Sequence, residues 1–328
     1  MYFNYAILSL SIFCLIVFKL SIVSLMVSYQ SGNWFFVVIK LIIIIFLCYE
    51  IAREWLNNIL PKKNTINRTA YDRSFLSVFI AVVGGAMLTS VLNHFVNLGP
   101  VVASCIVGLI GVVVLKKYQI PIYCGSFVGM ASLGVLTNYW SILLAAGFSG
   151  LLFLIAGNVF IGFGGKLGAI AYFGTFLVAV MTGSISETLH PNLILIDYRL
   201  FLYFILAAVA TYVFNKKSIY GAVPSSALVG LLFGLLIPFI HGGSSGSLTV
   251  GAFCGTFIGM SATNRLKSVW HIILAGIIGS LIFTYTQHYF IGLGGKLGAM
   301  AFVASISTSG FFDFWRNKRP RNKGLSER

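Results

Sequence analysis

Long apolar stretches separated by short polar ones recur along the whole chain of 328 residues. Each stretch approaches the roughly 20 residues that an α-helix needs to cross the hydrocarbon core of a bilayer. Lipid offers no hydrogen-bond partners to backbone N–H and C=O groups, so a spanning segment must be a helix or part of a closed barrel. Barrel strands alternate apolar and polar residues over about 10 positions, and no such alternation is sustained in this sequence. The pattern predicts an all-α polytopic membrane protein.

The apolar stretches predict about twelve transmembrane helices, several of them short or rich in glycine. The predicted spans are 4–27, 33–52, 75–94, 99–115, 120–137, 139–157, 166–186, 199–215, 222–240, 248–263, 269–286 and 293–312. Broken or re-entrant helices are tolerated where they are buried in protein or line a cavity. For 120–137 and 248–263, full crossing and re-entry both stay open.

Composition agrees with this class, because 58% of the residues are apolar and only 9% are charged. A soluble domain carries about a quarter charged residues. The net charge of +15 suggests nucleic acid at first sight, but the basic residues form short clusters between apolar stretches, as the positive-inside rule requires. We therefore expect the lipid bilayer and a small solute as partners, anionic lipid at the basic tail and no nucleic acid. A homo-oligomer stays open, and neither cofactor nor metal is expected.

Basic residues follow the even-numbered predicted spans. These loops and the tail hold Arg53, Lys62, Lys63, Arg68, Arg73, Lys116, Lys117, Lys216, Lys217, Arg265, Lys267, Arg316, Lys318, Arg319, Arg321, Lys323 and Arg328. The loops after odd-numbered spans hold Arg199, accompanied by Glu187 and Asp197. Because Lys and Arg accumulate in cytoplasmic loops, we expect a multi-pass protein of the cell (plasma or inner) membrane, with cytoplasmic N- and C-termini.

An internal repeat is visible in the sequence. FIGFGGKLGAIA at 160–171 matches FIGLGGKLGAMA at 290–301, an offset of 130 residues. The same offset aligns CGSFVGM at 124–130 with CGTFIGM at 254–260. Further upstream, SCIVGL matches SALVGL at an offset of 122 residues. Three blocks in the same order indicate that one unit was duplicated.

The repeat divides the chain into four parts. They are a two-helix hairpin with a basic loop at 1–70, repeat 1 at 71–188, repeat 2 at 197–312 and a basic tail at 313–328. Each repeat holds five predicted spans, and an odd number turns the second copy upside down in the bilayer. Inverted repeats are typical of secondary transporters, whose sites lie at the repeat interface. This five-plus-five plan is similar to that of urea channels and several carriers, a similarity of plan without shared motifs.

The G-G-K-L-G block is the sharpest chemical feature. Its glycines, which allow sharp turns and close backbone approach, include Gly164, Gly165, Gly294 and Gly295. Lys166 and Lys296 fall in the first turn of the following span, where the helix dipole disfavours a cation. Two positive elements converging there are explained if an anion or strongly polar solute lies between them.

A second interpretation of these lysines is a flanking charge that reaches the lipid headgroups. It suits Lys166, on the predicted cytoplasmic side, better than Lys296, which inversion places outside. Tight helix packing is a third. A nucleotide-binding loop does not fit, because leucine follows each lysine where a Walker motif has Ser or Thr.

The other repeated blocks contain hydroxyl groups among small residues. Gly125 and Gly129, four apart on one helix face, favour close helix packing. A pore-lining alternative places Ser126 and Thr256 toward the solute. Ser225 and Ser226 either line a cavity or bond to their own helix.

These features favour an integral membrane transporter or channel for a small anionic or neutral polar solute, with its path between the repeats. A non-catalytic subunit or assembly component of a larger complex is the second possibility. A membrane-embedded enzyme or electron-transfer subunit is the third, but the sequence lacks paired carboxylates, HExxH and bis-histidine spacing. We therefore expect no enzyme.

Overall fold

The computed structural model describes residues 2–30, 34–59, 75–185, 197–217, 221–242 and 245–318. Within these ranges the chain forms α-helices joined by short turns. The helices are α1 (Tyr2–Gln30), α2 (Trp34–Ile59), α3 (Phe75–His94), α4 (Pro100–Val114), α5 (Gln119–Gly129), α6 (Tyr139–Ile155), α7 (Lys166–Met181), α8 (Tyr198–Lys217), α9 (Ala222–His241), α10 (Gly246–Gly259), α11 (Val269–Thr286) and α12 (Lys296–Lys318). The predicted all-helical class is confirmed for this part of the chain. Some charged residues named above lie outside the described residues. They are the basic loop residues from Lys62 to Arg73, Glu187, and the basic residues of the tail from Arg319 onward.

In the described part of the chain, seven helices are long and apolar enough to cross a membrane. They are α1, α2, α3, α8, α9, α11 and α12. The other five have 11 to 17 residues, fewer than the roughly 20 that a straight crossing needs. The predicted span 120–137 shows why: its helix stops at Gly129, and residues 130–138 form turns that end in the cap Asn138. Hydropathy locates an apolar stretch, whereas glycine and capping residues decide where its helix ends.

Both repeats use the same helix pairings. In repeat 1, α3 packs on α4, α5 and α6, and in repeat 2, α8 packs on α9, α10 and α11. The closest pair in each repeat depends on glycine. A Cβ atom on Gly125 would collide with the carbonyl oxygen of Val82, and one on Gly255 with that of Phe204. Gly255 follows Gly125 by 130 residues, and Phe204 follows Val82 by 122 residues, the same offsets as in the sequence repeat. Equivalent residues therefore pack alike.

The two repeats meet mainly along two helix pairs, α4 with α9 and α7 with α12, with smaller contacts of α4 with α10 and of α5 with α9. In the second pair, Gly168 and Gly298 face each other backbone to backbone. A Cβ on either glycine would lie 2.5 Å from the Cα of the other. Because these glycines are equivalent in the sequence repeat, the contact is reciprocal.

The N-terminal hairpin α1–α2 covers one side of this assembly, on α6, α7, α11 and α12. Two lysines in the hairpin are held by aromatic rings of the repeats. The Lys19 Nζ lies 3.7 Å from the ring centroid of Phe176. The Lys40 Nζ lies 3.3 Å from that of Tyr285 and donates to the Ser24 carbonyl at 2.6 Å. Cations over ring faces are attracted by the ring quadrupole, so both lysines fasten the hairpin to the repeats.

Candidate functional site

Two loops carry the G-G-K-L-G block. The first loop, residues 156–165, joins α6 to α7, and the second loop, residues 287–295, joins α11 to α12. In the first, Gly162 and Gly165 both have φ of 82°; in the second, Gly292 has 81° and Gly295 has 76°. Only glycine adopts these angles at no steric cost. Near-identical sequence therefore produces the same turn twice.

A phenylalanine in each loop adopts a left-handed backbone conformation. Phe160 has φ of 50° and Phe290 has φ of 54°, values that are strained for a bulky side chain. Aromatic neighbours hold both rings. Phe160 packs on Phe302 with centroids 5.3 Å apart, and Phe290 packs on Phe176 at 6.1 Å. Strain of about 1–3 kcal/mol per residue persists only when the surroundings over-determine it, and it concentrates at functional sites.

Each lysine of the block turns back to the helix that precedes its loop. The Lys166 Nζ donates to the carbonyl oxygen of Ala156 at 2.7 Å. The Lys296 Nζ donates to that of Gln287 at 2.9 Å and to that of Tyr289. Carbonyls at a helix C-terminus lack intrahelical donors and carry its negative dipole end. The lysines thus cap α6 and α11, which explains a cation beside the N-terminus of the next helix.

The loops of one repeat are bonded to the other repeat. The backbone N–H of Ser132 donates to the Gly292 carbonyl at 2.9 Å, and that of Ala262 donates to the Gly162 carbonyl at 2.8 Å. Ser261 and Thr175 add side-chain bonds. The Gly164 N–H donates to the Ser261 hydroxyl at 3.0 Å, and the Thr175 hydroxyl donates to the Gly294 carbonyl at 2.8 Å. Gly164, Gly165, Gly294 and Gly295 therefore belong to the repeat interface.

The hydroxyl groups singled out in the sequence lie in the buried centre. Ser126 lies 2.8 Å from the hydroxyl of Ser104 and donates to the carbonyl of its own helix. Thr256 lies 3.0 Å from the hydroxyl of Ser226. Ser225 donates to the Gly221 carbonyl at 2.9 Å within its own helix. Three of the four predicted hydroxyls thus join a central network, and Ser225 does not.

A cavity of about 340 Å³ lies between the repeats. Lys296, Gly295, Gln287, His288 and Ser247 contribute to its wall, together with the buried rings of Phe127 and Phe257. Of the ten residues proposed from the sequence, Lys296 and Gly295 line it. Lys166 and the other seven are not part of its wall. The cavity residues come from α4, α5, α10, α11, α12 and the second loop.

An ion-pair network surrounds the first loop. Arg265 donates from Nε to the Ile161 carbonyl at 2.9 Å and pairs with Glu54 of the hairpin at 3.2 Å. Glu54 is only 5% exposed. Arg53 extends the network to Glu50 at 3.2 Å and to Asp313.

Sequence reasoning missed Arg265, Phe127 and Phe257 as site residues. Arg265 was read as an orientation signal, and pairing with a hairpin more than two hundred residues away leaves no local pattern. A signal did exist for the two phenylalanines. They occupy the same place in the repeated blocks at 124–130 and 254–260, surrounded by small residues. An aromatic residue at the same position in both copies, with glycines around it, is a candidate for a contact between the copies.

No protein-family model, no curated protein and no solved structure matches this chain.

Proposed function

We propose that this protein is a membrane transporter or channel for a small anionic or neutral polar solute, with its path along the interface of two oppositely oriented five-helix repeats. The cavity beside Lys296 is the observation that carries the proposal. Its volume of about 340 Å³ lies in the range of about 300–1,000 Å³ found for small-molecule sites. Apolar rings and a few polar groups line it, as in such sites.

The broken helices support the same function. Non-helical backbone at membrane depth is tolerated where it is buried in protein or lines a water-filled cavity, and half-helix ends line many transporter sites. Here α11 ends and α12 begins at the second loop, which contributes backbone and side chains to the cavity. In this proposal the polypeptide crosses the membrane twelve times, in part by short or broken helices, and both of its termini lie on the cytoplasmic side.

The ammonium group of Lys296 is the proposed solute contact. An ammonium has three N–H donors, and the carbonyls of Gln287 and Tyr289 account for two of them. The third is then available to a carboxylate, another anion or a carbonyl oxygen of the solute. Lys296 is 7% exposed, and a donor in such a setting discriminates strongly between solutes that accept the bond and those that do not.

Flux through liposomes tests this function. The purified chain is reconstituted, and swelling is followed by stopped-flow light scattering in gradients of urea, glycerol, or potassium formate with valinomycin. Wild-type protein is expected to accelerate at least one probe over empty liposomes. Lys296→Met is expected to slow that probe about ten- to hundredfold, matching the roughly 1.5–3 kcal/mol of a hydrogen bond to a charged group.

Two comparisons keep this test specific. Lys296→Arg retains the charge and the donors, so it should recover part of the flux that Lys296→Met loses. Lys166→Met with Lys296→Met should abolish flux while the purified protein remains monodisperse. Normal flux in this double variant would remove the site assignment, and absence of flux for all probes in wild type would count against the function.

A further inference from the structure

Two phenylalanines form a fully buried part of the cavity wall. Phe127 and Phe257 both line it, with ring centroids 4.8 Å apart. Each of them packs on a second ring of its own repeat. The centroids of Tyr123 and Phe127 lie 4.5 Å apart, and those of Phe253 and Phe257 lie 4.6 Å apart. None of the four side chains is more than 2% exposed. We call these four residues the ring cluster.

The ring cluster contains two residues from each repeat. Phe257 is equivalent to Phe127 and Phe253 is equivalent to Tyr123, both at the offset of 130 residues. The contact between Phe127 and Phe257 therefore crosses the repeat interface. Any movement of one repeat against the other that extends the cavity inward must separate these two rings.

A glycine lies opposite the ring of Tyr123, and another lies opposite the ring of Phe253. A Cβ on Gly108 would lie 2.7 Å from the ring of Tyr123, and one on Gly230 would lie 2.7 Å from the ring of Phe253. Both distances are shorter than real Cβ contacts, so only glycine leaves room for the rings. The two glycines are themselves equivalent at the offset of 122 residues. The cluster is thus fitted into both repeats rather than packed against one.

One hydroxyl makes the cluster asymmetric. The Tyr123 hydroxyl lies 3.0 Å from that of Ser226, which lies 3.0 Å from that of Thr256. These two hydrogen bonds connect α5 of repeat 1 to α9 and α10 of repeat 2. Phe253 has no hydroxyl and cannot form the matching bond to repeat 1. The hydrogen bond of Tyr123 therefore holds the cluster closed from one side.

We propose that the ring cluster is the closed gate of the solute path, an inference that rests on the function proposed above. Two of its buried apolar rings, those of Phe127 and Phe257, form part of the wall of the Lys296 cavity. A polar solute there loses its hydration without gaining hydrogen bonds, which is strongly unfavourable. Passage requires that Phe127 and Phe257 separate and that the Tyr123 hydroxyl releases Ser226, so that the central hydroxyls meet the solute.

A native thiol lies beside the ring cluster. Val101 lines the cavity, and Cys105 follows it by one helical turn on the same face of α4. The Cys105 side chain is fully buried. Its sulfur would lie 2.9 Å from a Cβ on Gly230, the position that the Phe253 ring also approaches. Reaction of Cys105 with a water-soluble reagent therefore reports an open ring cluster.

The experiment uses the full chain with Cys14, Cys48, Cys124 and Cys254 replaced by Ala. This leaves Cys105 as the single thiol, because the chain has 5 cysteines. The protein in liposomes is exposed to the anionic reagent 2-sulfonatoethyl methanethiosulfonate, and intact mass measures modification over time. We expect the parent to stay unmodified, since buried thiols are inert, and Phe127→Ala or Phe257→Ala to react about tenfold faster or more.

Phe13→Ala is the matched control. Phe13 is a fully buried phenylalanine of the hairpin that packs on Phe160 and Phe302 and lies outside the cavity wall. Its variant should react like the parent. The gate is overturned if the parent already reacts rapidly, if neither ring variant exceeds it, or if Phe13→Ala reacts as fast as they do.

Milder variants decide the matter where an alanine variant does not fold. Phe127→Leu and Phe257→Leu keep most of the apolar volume but remove the ring contact, and Tyr123→Phe removes only the bond to Ser226. Each should raise the rate, and unchanged rates in all three overturn the gate. Thiol modification needs no solute transport. Wild-type protein that moves no probe solute thus contradicts the function, whereas unaltered thiol rates in a protein with normal flux contradict the gate alone.

Discussion

The first and second loops have nearly the same sequence but different surroundings. Ten of twelve positions are identical between 160–171 and 290–301, and φ angles and lysine caps agree. Yet Arg265 packs over the first loop, with its guanidinium 4.3 Å from the Phe163 ring centroid. At the second loop the equivalent residues are Val135 and Leu293, and Leu293 lines the cavity.

The difference teaches that local sequence determines the turn, whereas a few distant residues determine whether its surroundings are filled. Val135 and Arg265 occupy equivalent places, 3.0 Å from a Cβ on Gly292 and 3.4 Å from one on Gly162. Arginine there recruits Glu54 of the hairpin, an element that occurs once. Duplication supplies two equal loops, and the hairpin with Arg265 makes them unequal.

Arg265→Val is the sharpest way to break the comparison, because it gives the first loop the residue that the second loop has. The variant removes the Arg265 partner of the buried Glu54 and the donor to the Ile161 carbonyl. Breaking a buried pair from one side costs about 3–5 kcal/mol, and we expect a loss of that order in unfolding free energy. Unfolding in mixed detergent micelles measures it.

The control for Arg265→Val lies in the same turn. Lys267 is exposed, and Lys267→Ala should change the unfolding free energy by no more than about 0.5 kcal/mol. Adding Glu54→Gln to Arg265→Val should restore part of the loss, because a carboxamide is cheaper to bury than a carboxylate. Equal effects of Arg265→Val and Lys267→Ala would mean that the network contributes nothing.

The glycine crossing tests the equality of the two copies. Gly168→Ala and Gly298→Ala each place a Cβ against the backbone of the other helix, and backbone cannot move aside as a side chain can. Overpacking costs about 1–3 kcal/mol, and the two variants should lose the same amount. Thermal unfolding of the purified protein measures the loss.

A matched glycine is available in α3. Gly84 is exposed, and a Cβ there meets nothing within 4 Å. Gly84→Ala should therefore gain about 0.5–1 kcal/mol from helix propensity. Unequal losses at Gly168 and Gly298 would show that their contact is not reciprocal in solution.

The sequence predicted the helical class of the described residues, because this class depends on composition and local pattern. It did not predict the lengths of the short helices. The stretch 120–137 is apolar throughout, but its helix ends at Gly129. Burial among other helices removes the need for a full apolar crossing, so hydropathy alone overestimates such helices.

The candidate site was predicted in part. Lys296 and Gly295 line the cavity, but the partners of Lys166 and Lys296 were not anticipated. Local reasoning places each cation at the N-terminus of its own helix, where the dipole opposes it. The fold brings the C-terminal carbonyls of the preceding helix to the same point, although Lys166 lies ten positions after Ala156 in the sequence of repeat 1. Only tertiary structure supplies that contact.

The smallest expected difference between the copies lies in the N-terminal caps of α6 and α11. Asn138 accepts a hydrogen bond from the Ser141 N–H at 2.8 Å. At the equivalent Ser268, the backbone N–H donates to the His271 Nδ1 at 3.0 Å, and the hydroxyl lies 2.7 Å from the same atom. His271 is itself held against Phe312, with centroids 3.8 Å apart. The second cap thus depends on the histidine ring as well as on the serine.

Asn138→Ala should therefore cost about 1 kcal/mol, the usual value for an N-cap, and Ser268→Ala should cost less. Both variants keep the bond from their backbone N–H to the side chain three residues on, Ser141 or His271, but only the asparagine variant leaves the Ser141 N–H without its side-chain acceptor. Thermal unfolding of the two variants side by side measures the difference. A greater loss for Ser268→Ala would place the stabilisation of α11 in the serine hydroxyl, and the caps of the two copies would then work in the same way.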